Sequence, residues 1–286
     1  MSSNFQANRR PGGGGGARAL FPLATGRLPP ELADNARILA DYAAALRDIA
    51  DHPALEPERK QERLQALAAA IRGESTSGGI DDGLRAAHNL RHLLDSRGFD
   101  FQDPWQMLQA ASLDISKSSY PDWSDLLAWC RYWAAPMGRM VYRLAGGGDP
   151  GLARAESFAI GAEVLFLVEH APAHHRWLGR VYLPARWFRE AGCEPEVLGA
   201  AGASPELRQV FGRAVGEARR LIDAAAGIET CLPTRRHRVA AATARAEALA
   251  WAGALERGDL IAGVSGPGFV VRVGIGMAGM LGGMRS

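Results

Sequence analysis

The sequence predicts an all-α fold in one domain, and three observations carry that expectation. Alanine is very frequent and runs of β-branched residues are scarce, a composition that favours helix. Every long segment places its apolar residues at helical spacing. Glycine and proline mostly fall between these segments as punctuation, and no internal repeat divides the chain.

The elements follow in order. Residues 1–18, MSSNFQANRRPGGGGGAR, are glycine-rich and polar and are expected to form a disordered tail, leaving 19–286 as the domain. ALFPLATGRLPPEL ends in paired prolines and leads into a long helix over Ala33–Asp51, which Pro53 stops. An amphipathic helix spans Pro57–Arg72, GESTSGGIDDG is a loop, and 84–96 is helical again. Gln106–Ile115 leads into a central helix from Trp123, whose stripe is Trp123, Leu126, Leu127, Cys130, Ala134, Met137 and Val141. Its other face carries the small residues Ala128, Ala135 and Gly138, which suit either a cavity wall or close helix packing. Pro136 cannot donate to the carbonyl of Tyr132, so a kink is expected there. After GGGDPG, Leu152–His170 reads as nearly continuous helix, and RVYLP opens a short helix over Ala185–Ala191. Residues 205–227 are amphipathic, and LPTRRHR begins a last helix to about Arg257. The apolar, glycine-rich end, Pro267–Met284, is interrupted by Arg272, so no uninterrupted apolar run there reaches the about 18 residues of a bilayer span. Close helix packing is the main expectation for it, with peripheral membrane contact as the lesser one.

Composition narrows the function. With 47% hydrophobic and 22% charged residues the chain has material for a real core. A formal charge of +2 gives no electrostatic case for nucleic acid. Cys130, Cys193 and Cys231 are odd in number and lack metal-type spacing, which fits a reducing compartment, and the cytoplasm is the default.

LDISKSSYPDWSDLLAWCRYWAAPMGR resembles the central helix of the squalene/phytoene synthase family, nearest to its hopanoid-pathway, hydroxysqualene synthase-like branch. Asp114, Lys117, Tyr120, Trp123, Cys130, Arg131, Tyr132, Pro136, Gly138 and Arg139 fall in step. Trp129 replaces a tyrosine of the pattern and Trp133 a small residue. RVYLPARWFREAGC resembles a second family motif, and Phe21, Pro22, Ala24, Leu28 and Pro29 resemble the opening one. The resemblance implies an isoprenoid-synthase-type helical bundle around a central cavity. It further implies an isoprenoid or prenyl diphosphate as ligand, with other isoprenoid-pathway enzymes as potential partners.

In that family two aspartate clusters face each other and hold Mg²⁺, a hard cation that takes oxygen ligands and neutralises a diphosphate leaving group. The first cluster maps to Arg47–Asp51, RDIAD. Its leading aspartate is Arg47, leaving Asp48 and Asp51, with which the arginine is expected to pair. The second maps to EVLFLVEHAPAHHRWL, where His170 and His174, or Ala171 and His175, stand for the aspartates, and Phe166 or Leu167 for an asparagine. Zinc on Glu169, His170 and His174, protonated histidines facing a phosphate, and plain solvent-facing histidines remain three readings of this stretch. His88 and His92 are read as surface residues.

Carried over from the motifs, Tyr132 is implied as catalytic with Asp48 and Asp51. Arg47, Lys117, Arg139, His170, His174, Arg180 and Tyr182 are implied at the diphosphate, and Trp133 and Phe166 at the cavity wall. No metal ligand set is assigned; Mg²⁺ is expected only if the family activity is retained. The expectation is a family-like protein whose metal-dependent catalysis is weakened or lost, with an active prenyl-diphosphate synthase as the alternative.

Overall fold

Nine α-helices carry the residues described by the computed structural model, which are 30–74 and 81–258. They are α1 Pro30–Ala50, α2 Pro57–Arg72, α3 Asp82–Arg97, α4 Gln102–Ser116, α5 Trp123–Leu144, α6 Leu152–Leu178, α7 Ala185–Ala191, α8 Pro205–Ala224 and α9 Arg235–Arg257. Short 3-10 turns lie at Asp149–Gly151, Pro195–Gly199 and Ile228–Cys231. Among the described residues no β-strand is formed. The N-terminal tail, the opening motif and the glycine-rich C-terminal stretch lie outside the described residues.

Polar caps set where the helices begin. Asp122 accepts from the backbone N–H groups of Ser124 and Asp125, while Asp125 accepts from the backbone of Asp122, a closed capping box that starts α5. Ser204 and Thr234 cap α8 and α9 in the same manner from one side.

α5 is the central element. It packs against α4 on one side and α6 on the other, while α6 packs in turn on α8 and α9. α1 lies on α3 and α4 and touches α5, and α2 completes that half against α3 and α4. Leu126, Cys130, Ala134 and Met137 are buried as the stripe predicts, and Trp129, Trp133 and Met140 are buried as well. Gly138 answers the question of the small face at its own position. A Cβ there would stand 2.5 Å from the carbonyl oxygen of Ala155, so glycine is what lets α5 and α6 approach.

One proline expectation is corrected. α5 runs unbroken through Pro136, and α6 runs through Pro172 to Leu178 instead of ending near His170. The physical reason is tertiary: Phe166, Leu167, Val168, Ala171 and His174 are buried around Pro172, and that packing outweighs one lost backbone hydrogen bond.

α6 ends at Gly179, whose φ of +59° turns the chain into Arg180–Leu183. This segment is stapled to the one preceding α5. The Val181 N–H donates to Ser118 O (2.8 Å), Ala185 N–H to Tyr120 O (2.8 Å) and Arg186 N–H to Pro121 O (3.0 Å). The two motif segments are thereby held side by side at one end of α1.

Candidate functional site

The inner face of α1 presents Arg47, and Asp51 follows immediately past the helix end, its N–H donating to the Arg47 carbonyl (2.8 Å). Asp48, between them in sequence, faces outward and is exposed. It lines an outer cleft of about 590 Å³ with Asp41, Asp81, Asp82, Arg63 and Arg85. Only Asp51 of the two remaining acids therefore reaches the interior, and the expectation that Asp48 and Asp51 act together is corrected.

Arg47 is 7% exposed, and its partner is neither aspartate but Glu163, fully buried on α6. The expected pairing with Asp48 or Asp51 is corrected: the inner face of α1 meets α6 here, and Glu163 is the carboxylate opposite. Its guanidinium carbon lies 4.4 Å from the ring centroid of Trp133, 5.2 Å from Phe166 and 6.0 Å from Trp129. Trp129 and Trp133 stack on each other at 6.0 Å. Their i, i+4 spacing on α5 puts both indoles on the same side of the helix. The Trp133 indole N–H leans towards Glu163 without closing a hydrogen bond of good geometry. Burial raises the pKa of Glu163, and the arginine beside it opposes that rise.

A second buried network adjoins the first. Arg180 donates to Asp51 (2.7 Å), to the Tyr182 hydroxyl (3.0 Å) and to the backbone oxygen of Asp114. The Tyr182 hydroxyl donates to Asp114 Oδ2 at 2.9 Å, and Tyr120 reaches Oδ1 at 3.4 Å. Tyr182 stacks on Tyr120 at 5.6 Å and meets Trp129 at 5.0 Å, which joins the two networks. Lys117 caps this end, its Nζ 4.3 Å from the Tyr120 ring centroid. Burial pushes the Asp114 carboxyl up to about 6, with Arg180 pulling the other way.

His170 and His174 face the interior instead of solvent. His170 stacks on Phe166 at 4.0 Å and its Nδ1–H donates to the Phe166 carbonyl at 3.0 Å. His174 is 2% exposed and meets Tyr182 edge-on at 5.2 Å. Burial pulls His170 down to about 4 and His174 well below its usual value. Burial thus disfavours the protonated form on which the phosphate reading depends. Among the described residues, no three His, Cys, Asp or Glu side chains converge to hold a metal.

Other placements differ from expectation. Tyr132 is 44% exposed on α5, and the aromatic side chain facing inward at this turn is Trp129. Arg139 is engaged with Asp103 (2.7 Å), Gln106 (2.6 Å) and Glu156 (2.8 Å), a clamp joining α4, α5 and α6 apart from the Arg47 and Arg180 networks. Trp133 and Phe166 are interior as expected, but they close around Arg47 instead of lining open space. Glu163 escapes a reading by motif because it precedes the mapped positions, although it is the lone charge in the apolar run of residues 159–168 and that run signals its burial.

The donor set can be tested against magnesium. Mg²⁺ needs oxygen ligands in near-octahedral order. The buried acids here already face cations or hydroxyls: Glu163 meets Arg47 through Oε1, its Oε2 being buried without a partner, Asp51 meets Arg180, and Asp114 meets Tyr182 and Arg180. Arg47 puts a positive charge on the inner face of α1, where a divalent ion would be repelled. These residues do not fit the ion.

Comparison with known proteins places this arrangement. The squalene/phytoene synthase family model matches residues 17–262. Two proteins named hydroxysqualene synthase are similar. One from Rhodopseudomonas palustris is 30% identical over 65% of this chain and 62% of its own length. One from Sinorhizobium fredii is 30% identical over 71% of this chain and 68% of its own. The chain thus spans a little under two thirds of the first of these relatives. The crystal structure of squalene synthase HpnC from Alicyclobacillus acidocaldarius aligns with a TM-score of 0.68 at 22% identity, over 84% of this chain and 92% of that one. A dehydrosqualene synthase crystallised with ligand aligns at 0.65 and 19% identity, over 83% and 80%. By sequence and by fold, the chain belongs to the squalene/phytoene synthase family.

Proposed function

We propose that this chain is a squalene/phytoene synthase-like protein of squalene or hopanoid biosynthesis in which metal-dependent diphosphate ionisation is lost. One observation carries the reading: the Arg47–Glu163 ion pair, caged by Trp133, Phe166 and Trp129, stands where acids would have to gather around a cation. A fold does not guarantee its usual chemistry, and the site argues against it here.

A second reading is an active synthase on farnesyl or presqualene diphosphate. Similarity to two hydroxysqualene synthases supports it, as does the convergence of Asp51, Asp114, Arg180 and Tyr182. The experiment is direct. The purified full chain is incubated with either diphosphate, with and without Mg²⁺, and released diphosphate is measured beside a related hydroxysqualene synthase. Release by this chain is expected to be the same with and without the metal. Metal-dependent release would establish the second reading.

A further inference from the structure

The surroundings of Arg47 are more specific than a neutralised charge requires. Its guanidinium lies 4.4 Å from the centroid of one indole and within 6.0 Å of two further aromatic rings, with a fully buried carboxylate accepting from Nη2. A flat, delocalised, weakly hydrated cation gains from aromatic faces and from a carboxylate together. A compact ammonium or a hydrated divalent ion uses such a surface less well. The arginine Nε is buried without a partner, so its orientation comes from the aromatic cage and Glu163 rather than from a saturated donor set.

We propose that Trp129, Trp133, Phe166 and Glu163 form a guanidinium-recognition box which the chain fills with its own Arg47. The inference rests on the reading that this interior is not a metal site, and it adds what the interior does recognise. Arg47 is then a built-in ligand, covalently delivered by α1. Its removal leaves a site with a defined chemical preference: alkylguanidinium over alkylammonium and over divalent metal.

The test uses the full chain with Arg47→Ala and thermal unfolding. Ethylguanidinium is the part of the deleted side chain beyond Cβ and is the probe. Ethylammonium and Mg²⁺ at matched ionic strength are the comparisons. The substitution is expected to lower Tm by on the order of 10 °C, since it leaves Glu163 buried and unpaired. At about 10 mM, ethylguanidinium is expected to return about 3–5 °C of that loss, the shift of a ligand present at roughly ten times its Kd. Ethylammonium and Mg²⁺ should return none of it, and the unsubstituted chain should gain nothing from the probe. An Arg47→Ala, Glu163→Ala double variant, lacking the anchor, should not respond. Should Arg47→Ala fail to fold unaided, soluble yield on refolding with each of the three cations gives the same comparison. The proposal is overturned by an Arg47→Ala chain as stable as the parent, by equal rescue from ethylammonium or Mg²⁺, or by no rescue by ethylguanidinium. Failure of the functional reading looks different: it is metal-dependent diphosphate release by the unsubstituted chain.

Discussion

Arg47 and Glu163 lie 116 residues apart in the chain and bury an ion pair. Removing one member of such a pair leaves a charge in the interior and costs about 3–5 kcal/mol, whereas replacing both with apolar groups is often neutral or stabilising. Glu163→Ala should therefore destabilise by about that amount in urea unfolding, and Arg47→Met with Glu163→Leu should recover most of it. A small loss in Glu163→Ala would mean the pair is solvated. The pH dependence follows from two groups of opposite sense. His170, at about 4 in the folded chain, sits below its ordinary value of 6.5, so unfolding takes up a proton between those values and stability falls as pH drops through that window. His174 acts in the same direction. Asp114, at about 6, sits above its ordinary 3.8, so the folded chain holds the extra proton there and this group opposes the histidines. Glu163, Asp48 and Asp103 are also raised by burial and add to Asp114 in that opposing sense. Asp114→Asn removes one opposing group, so on acidification from pH 7 to 4 the variant should lose more stability than the parent does, read as urea midpoints.

At the scale of elements, the approach of α5 to α6 is the contact on which the interior is built. Gly138 lies at that contact, and a Cβ there would meet the Ala155 carbonyl oxygen at 2.5 Å and the Ala159 Cβ at 2.7 Å. Both neighbours belong to a helix and cannot swing aside as a flexible side chain would. Gly138→Val should cost at least about 1–3 kcal/mol by forcing the helices apart. Stability equal to the parent would show that α6 can slide. The face of α1 supplies a second prediction. Arg47→Asp puts a carboxylate one turn from Asp51 and opposite Glu163, so three acids would share the interior. That variant should be less stable alone and should gain Tm with millimolar Mg²⁺, a response the parent lacks. Absence of the gain would show that α6 offers too few oxygen ligands.

For the whole molecule, the two buried networks join through Tyr182 and Trp129 and match acids to arginines across α1, α4, α6 and the Arg180–Leu183 segment. This makes the fold self-sufficient in charge. EDTA and Mg²⁺ should each leave the Tm of the parent chain unchanged, and a metal-dependent shift would contradict that self-sufficiency. Among the described residues no helix is long and apolar enough to cross a membrane. Much of this was legible beforehand. The sequence marked α2 and α7 at their observed bounds, whereas the pairing of the RVYLP segment with the residues before α5 appears only in the folded chain. What escaped was side-chain facing. Tyr132 points out and Trp129 in, Asp48 out and Asp51 in, and His174 is sealed within, because one residue's shift around a helix turns a side chain by about 100°.

The all-α character and the family were already determined by the linear order of residues. Periodicity, caps and motifs are local, and each is set within a turn or two of helix. The pairing of charges was not local. Which acid meets which arginine depends on how α1, α5 and α6 are brought together, and that arrangement joins Arg47 to Glu163 and Arg180 to Asp51. Only the packed chain decides it, because a buried charge takes whatever partner lies within a few ångströms, however distant that partner is in sequence.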